Sequence, residues 1–186
     1  MRASPVHHII LDRDGVINRD SDQFIKTPDE WQPIEGSLEA IARLKQAGFI
    51  VGIASNQSGI GRGLFDQTTL NAMHEKMQHL LAKLGSHVDL IAFCPHTPED
   101  NCDCRKPLPG LYLQLAKRWN IDLNGVPIIG DSLRDLQAAQ AVDAYPILVR
   151  TGKGEKTLAQ LQEQTIPVFK DLSMAVDHLL QEQLVC

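Results

Sequence analysis

A chain of 186 residues, 43% hydrophobic and 22% charged, has the size of one domain and a composition that excludes disordered and fibrous classes. Its net charge of −5 excludes a general positive field for nucleic acid or anionic membrane, so any bound anion must be held by local groups. No stretch reaches the roughly 18 uninterrupted apolar residues of a membrane span, and Val6 to Leu11 lacks the length and cleavage site of a secretory signal. The expectation is a cytoplasmic monomer that partners neither membrane nor nucleic acid.

In chain order, the apolar run His8–Leu11 predicts a short buried strand that runs directly into Asp12-Arg13-Asp14-Gly15. Two carboxylates at a strand mouth repel each other in a partly desolvated crevice unless a cation or a shared proton compensates. Such a pair can divide the work of phosphoryl transfer: one attacks phosphorus, and the other protonates the leaving alkoxide and then activates water. A helix follows over Ser37–Ala47, with Leu38, Ile41 and Leu44 on one face. The next strand, Phe49–Ala54, ends in Ser55-Asn56-Gln57-Ser58-Gly59, whose hydroxyl, amides and backbone N–H groups suit phosphate oxygens.

Asp66 caps a helix with the apolar stripe Leu70, Met73, Met77, Leu80 and Leu84, stopped by Gly85. Val88–Phe93 is a strand, and beyond it lie Cys94-Pro95-His96 and Cys102-Asp103-Cys104. Four such ligands in one short loop suit a closed tetrahedral Cys₃His zinc site, structural because no coordination position is left open. The same loop carries Arg105-Lys106-Pro107, two cations that the proline keeps out of the following helix, Gly110–Trp119. Cys186, the remaining cysteine, reads as a bystander.

Strand Val126–Ile129 ends in Gly130-Asp131-Ser132-Leu133-Arg134-Asp135, where Asp131 can hold a hard cation and Ser132 can cap the helix Leu133–Val142. Strand Tyr145–Val149 and the weaker elements Glu155–Gln164, Ile166–Phe169 and Leu172–Leu180 complete the pattern. Short apolar strands alternating with amphipathic helices predict an α/β, Rossmann-like three-layer sandwich with a mostly parallel sheet. Ligands then sit beyond the carboxyl ends of the strands. The gaps from Ile17 to Ser37 and from Phe93 to Gly110 are loop-sized, so no cap domain is expected and residues 1–186 read as a single domain.

Asp12-x-Asp14, Ser55, Lys106 and Gly130-Asp131, in that order at strand ends, resemble the four motifs of the haloacid-dehalogenase-like phosphatases over nearly the whole chain. The resemblance implies a phosphatase with Asp12 as nucleophile, Asp14 as general acid and base, and Ser55 and Lys106 holding the transferring phosphoryl group. It implies Mg²⁺ bound by Asp12, Asp131 and the backbone carbonyl of Asp14. Leu11–Gly15, Ser55–Ile60, Cys94–His96, Cys102–Pro107 and Val149–Lys153 more narrowly resemble the D-glycero-D-manno-heptose 1,7-bisphosphate 7-phosphatase family, which serves lipopolysaccharide core biosynthesis through ADP-heptose. By that resemblance Arg105 recognises a phosphorylated sugar, Asp20 to Gln23 lie over it, and Asn56, Gln57 and Ser58 line the phosphate side. Ser132 stands where some members have lysine. Arg62, in the glycine-rich Gly59–Gly63 segment, is a candidate for a remote phosphate. The nearest competitor is histidinol-phosphate phosphatase; a non-catalytic, zinc-stabilised binding module is the alternative of another class.

Overall fold

The computed structural model describes residues 7–161 and 165–183. Six strands and six helices follow in order: β1 His8–Leu11, α1 Ser37–Gln46, β2 Ile50–Asn56, α2 Gln67–Ala82, β3 Leu90–Cys94, α3 Gly110–Trp119, β4 Pro127–Gly130, α4 Leu133–Gln140, β5 Tyr145–Val149, α5 Gly154–Gln160, β6 Val168–Phe169 and α6 Leu172–Gln183. The strands form one sheet in the order β3-β2-β1-β4-β5-β6, and every pairing is parallel. Parallel strands need crossover connections, and the helices supply them on both faces.

The pleat of β1 sorts its side chains between two cores. Ile9 and Leu11 join Val51, Ile53, Ile129 and Ile147 under α1, α2 and α6. Ile10 turns to the other face with Ala54, Leu111, Leu115 and Ala138, beneath α3 and α4. The expected three layers are therefore present.

Two expectations shift in detail. On α2 the buried stripe keeps the expected Leu70, Met73 and Met77 and adds His74 and Leu81, while the expected Leu80 packs half-buried against the same core. The helix stops at Ala82, Gly85 turns the chain at φ +66°, and Leu84 is left 39% exposed. The zinc loop, expected to be free of regular structure, contains a 3₁₀ turn at Pro98–Asp100, closed by a reciprocal Thr97–Asp100 capping box. The end of the expected 155–164 helix, at 162–164, and Cys186 lie outside the described residues. Between β1 and α1 the described residues make only turns and the isolated bridges Asp14–Asn18 and Asn18–Pro33, with no inserted domain.

The chain builds β2 and β3 on one side of β1 and then crosses to build β4, β5 and β6 on the other. Adjacent strands that run to opposite sides leave a crevice at their carboxyl ends, here between β1 and β4. The register pairs Leu11 with Ile129, so Asp12 and Asp131 emerge together at that crevice.

Candidate active site

Asp12 follows the last residue of β1, and its backbone N–H still donates to the carbonyl of Ile129 on β4 at 2.9 Å. Its Oδ1 accepts from the Arg13 backbone N–H at 2.7 Å and faces Lys106 Nζ at 3.0 Å. Among the described residues Oδ1 takes both of these contacts and Oδ2 takes none. Asp12, Asp131 and Asp135 each bring a carboxylate oxygen within 4.8 Å of the others. Burial raises the Asp12 carboxyl well above its ordinary range, and the charges of Asp135 and Asp131 push it further against the pull of Lys106. Burial, with Asp135 beside it, lifts Asp131 to about 7.

Asp131 is held from the segment that follows β5. Lys153 N–H donates to its Oδ2 at 2.7 Å, and Thr157 Oγ1 of α5 donates to its carbonyl at 2.8 Å. Gly15 and Gly152, at φ +84° and +57°, flank that carboxylate so closely that a Cβ on either would collide with it. Thr151 Oγ1 donates to the Gly15 carbonyl at 2.6 Å, tying the two glycine turns together.

Asp135 was missed by the sequence reading as a site residue. It is 1% exposed on the first turn of α4, where its Oδ2 accepts from Ser132 N–H at 2.9 Å and Ser132 Oγ at 2.5 Å. Its Oδ1 lies 2.6 Å from Lys106 Nζ. Burial alone would raise its carboxyl, but the Lys106 ammonium and the Ser132 donors outweigh that and hold it below the usual range. The spacing Ser132-x-x-Asp135 signals the capping box but not the contact with Lys106.

Lys106 is 2% exposed and lies between Asp12 and Asp135, also donating to the Ala54 carbonyl at 2.8 Å. Desolvation works against its charge, yet the two carboxylates keep it protonated well above the ordinary lysine range. Its backbone is gripped by Asn56: Lys106 N–H donates to Asn56 Oδ1 at 3.1 Å, and Asn56 Nδ2 donates to the Lys106 carbonyl at 3.0 Å. Asn56 thus lines the pocket while spending its amide on this loop. Gln57 Nε2 donates to Ser55 Oγ and to Asp14 Oδ2, both at 2.7 Å. Because Ser55 Oγ already accepts from Gln57, its own proton is free to point into the pocket.

Asp14 accepts from Arg13 Nε at 3.1 Å, from Arg13 Nη2 at 2.9 Å on both oxygens, from Asn18 Nδ2 at 2.8 Å and from Gln57. Burial raises this carboxyl, but Arg13 and the two amides prevail, so it rests below its ordinary range. Its side chain is not among the clustered metal-ligating acids.

These groups floor a pocket of about 250 Å³ whose walls include Asp20, Ser21, Asp22, Phe24, Ser58 and Ser132. Arg62, Arg105, Arg134 and Lys153 form its cationic rim. Burial and the neighbouring charges of Arg134 and Arg62 lower the Arg105 guanidinium, while Lys153 is paired with Asp20 at 3.1 Å. Among the described residues none of the three arginines is in an ion pair. Gln23, expected over the substrate, is exposed and outside the lining. The turn that carries it directs Asp20, Ser21 and Asp22 inward instead.

Cys94, His96, Cys102 and Cys104 converge at the end of β3 and the loop beyond it. Cys94 Sγ is 3.6 Å from His96 Nδ1 and from Cys102 Sγ, and 3.1 Å from Cys104 Sγ; His96 Nδ1 is 3.4 Å from Cys104 Sγ. All three thiols are free. A disulfide needs about 2.05 Å between sulfurs, whereas ligands about 2.3 Å from a tetrahedral zinc stand nearly 4 Å apart. The donor set therefore fits zinc.

A parallel sheet of this order, with paired acids at the mouths of β1 and β4 and a buried lysine between them, defines a class of hydrolase. Residues 4–143 match the haloacid dehalogenase-like hydrolases, and the chain belongs to that family. It is a phosphatase. It is 59% identical over 176 residues, 94% of this chain and 98% of the relative, to D-glycero-beta-D-manno-heptose-1,7-bisphosphate 7-phosphatase of Bordetella bronchiseptica. It is 53% identical to the enzyme of that name from Pseudomonas aeruginosa, over 93% of this chain and 97% of the relative. A crystal structure of D,D-heptose 1,7-bisphosphate phosphatase from B. bronchiseptica, complexed with magnesium and phosphate, superposes with TM-score 0.93 at 57% identity, covering 95% of this chain and 99% of that one. The counterpart from Burkholderia thailandensis gives TM-score 0.74 at 45% identity, over 94% and 98%.

Proposed function

We propose that this chain is the phosphatase that removes the 7-phosphate of D-glycero-β-D-manno-heptose 1,7-bisphosphate, a step of ADP-heptose supply for lipopolysaccharide core biosynthesis. The observation that carries the reading is one pocket with an acidic floor and an arginine rim. The floor performs the chemistry on one phosphate, and Arg62, Arg105 and Arg134 suit the second anionic group of a bisphosphate. Relatives of 59% and 53% identity named for this reaction support it.

The donor set fits Mg²⁺: carboxylate oxygens of Asp12, Asp131 and Asp135 lie within 4.8 Å of one another, and the family resemblance adds the Asp14 backbone carbonyl. Bound there, Mg²⁺ offsets the repulsion between the Asp12 carboxylate and the substrate dianion. Asp12 Oδ2 attacks phosphorus; the bond from phosphorus to the sugar oxygen breaks as Asp14 gives its proton to that oxygen, leaving a phosphorylated Asp12. Asp14, now a carboxylate, takes a proton from water as the water oxygen attacks phosphorus. Inorganic phosphate leaves and the Asp12 carboxylate is restored. The ionised resting Asp14 suits the second step. For the first it takes up a proton as the anionic phosphoryl group enters beside it, since added negative charge raises a carboxyl pKa. Ser55 Oγ–H and Lys106 Nζ hold the transferring group and Ser58 completes that side, the Gln57 N–H being spent on the Cys94 carbonyl at 2.7 Å; Asp20 and Arg105 address the sugar and its second phosphate.

Zinc held by Cys94, His96, Cys102 and Cys104 has the structural task of fixing the segment that ends in Arg105 and Lys106. No helix of the described residues is long and apolar enough to cross a membrane; the chain works as a cytoplasmic, single-domain monomer on a small phosphorylated sugar. The test compares kcat/KM for heptose 1,7-bisphosphate and histidinol phosphate with Mg²⁺. The bisphosphate should win by at least about 10²-fold, the scale of one lost charged anchor. A preference for histidinol phosphate, or removal of the 1-phosphate, would overturn the assignment.

A further inference from the structure

Arg13 stands between the two acids in sequence, and its guanidinium is fully buried, with no exposure to solvent. A buried cation is costly unless its donors are matched. Nε and Nη2 spend theirs on the Asp14 carboxylate. Nη1 turns the other way, into α2, and meets His74 Nε2 at 3.5 Å and Met73 Sδ at 3.9 Å. His74 is itself buried, 8% exposed, with its ring against Phe93. An N–H donor aimed at Nε2 requires that nitrogen to be unprotonated, so His74 is the neutral tautomer with its proton on Nδ1. The guanidinium plane is thereby fixed at both ends.

We infer that Arg13, braced by His74 of α2, is a positioning residue that sets the plane and direction of the Asp14 carboxyl for proton transfer to the leaving oxygen and from water. The inference rests on the assignment of Asp14 as acid and base. A carboxylate alone rotates freely about its terminal bond, whereas a planar fork with donors to both oxygens defines its plane. Asn18 and Gln57 add one donor to each oxygen but approach as single points. A misplacement of about 1 Å in such a group costs up to roughly 10²-fold in rate. Lysine in place of Arg13 keeps the charge and loses the fork.

The experiment exploits the leaving group. Departure of p-nitrophenolate needs no proton, so a displaced Asp14 slows water attack but spares the first step. On the sugar bisphosphate both steps need Asp14. Arg13→Lys should lower kcat on the bisphosphate by roughly 10- to 100-fold with KM within about threefold, a misalignment effect. On p-nitrophenyl phosphate it should keep a rapid nitrophenol burst close to one per enzyme while the steady state falls. His74→Phe, which keeps volume and removes the acceptor, should show the same split more weakly, and His74→Gln, which can restore an acceptor, should return kcat towards wild type. Asp14→Asn serves as the reference for a missing acid and base. If it separates burst from steady state while Arg13→Lys and His74→Phe depress both equally, or neither, the positioning role is refuted. If Asp14→Asn itself fails to separate them, the acid and base assignment falls and the inference falls with it. Should Arg13→Lys not fold, as judged by circular dichroism, the two His74 variants decide by the same criterion.

Discussion

The floor of the pocket and the zinc loop face one crevice but are held by opposite means. The floor is an extension of the sheet: Asp12 is fixed by a ladder bond to β4, and Asp131 by α5 and two glycine turns. Its order comes from the same backbone pairing and apolar burial that fold the domain, and its problem is excess negative charge. The segment from Cys94 to Lys106 has one 3₁₀ turn and few buried apolar side chains. Three thiols and one imidazole converge there on one point, a donor set that fits zinc. A site can thus take its nucleophile from a rigid scaffold and its cation from a loop, provided that a metal gives the loop a comparable rigidity.

The sharpest way to break this contrast is chemical. Asp12→Asn should reduce turnover by about 10⁴-fold or more, as losses of a nucleophile do, with unchanged far-ultraviolet circular dichroism. Residual activity within tenfold of wild type would remove the floor from the mechanism. Cys102→Ser should release zinc and lower kcat/KM by about 10- to 100-fold, the usual scale for groups that orient a site, while the melting transition of the core shifts little. Unchanged kinetics after metal analysis confirms zinc loss would show that the loop orders itself.

The smallest effect concerns pH. Burial raises Asp131 to about 7 and Asp12 well above its ordinary value, whereas both titrate near 4 in an unfolded chain. Their protonated forms are the ones that the metal-free fold tolerates, so the contribution of Asp131 to stability is full below about pH 4 and is lost as pH rises through about 7, and that of Asp12 falls in the same direction. Mg²⁺ selects the ionised forms. The rise in Tm on adding Mg²⁺ should therefore grow from pH 6 to pH 8, measured by scanning calorimetry. A Mg²⁺ effect that shrinks over that range would contradict the shared-cation floor.

The alternation of short apolar strands with helices made the sheet and its layers legible, because burial on both faces leaves short apolar runs such as Ile9–Leu11 in β1 and Ile147–Val149 in β5. The strand-end acids were legible for the same reason: a charge that interrupts such a run has to be explained. Asp135 was hidden inside an ordinary capping box, since nothing in a capping spacing tells whether the acid also meets a buried lysine 29 positions earlier. Gln23 shows the converse. Loop residues have no periodicity to orient them, and the turn at 20–25 sends its neighbours inward and Gln23 out. Arg13 is a third case: nothing in the Asp-Arg-Asp spacing points it at His74, and only the fold places α2 beneath it.

The two-point grip of Asn56 on Lys106 divides the neighbouring loop into unequal parts. Upstream, the exposed turn at 98–101 could absorb extra residues, because its ends are already tethered on either side. Downstream, from Cys104 to Lys106, the chain must reach from the Cys₃His cluster to an amide clamp in two steps, and an added residue there would push the ammonium out from between Asp12 and Asp135. Relatives that differ in the length of this loop should carry their insertions in the first part and none in the second.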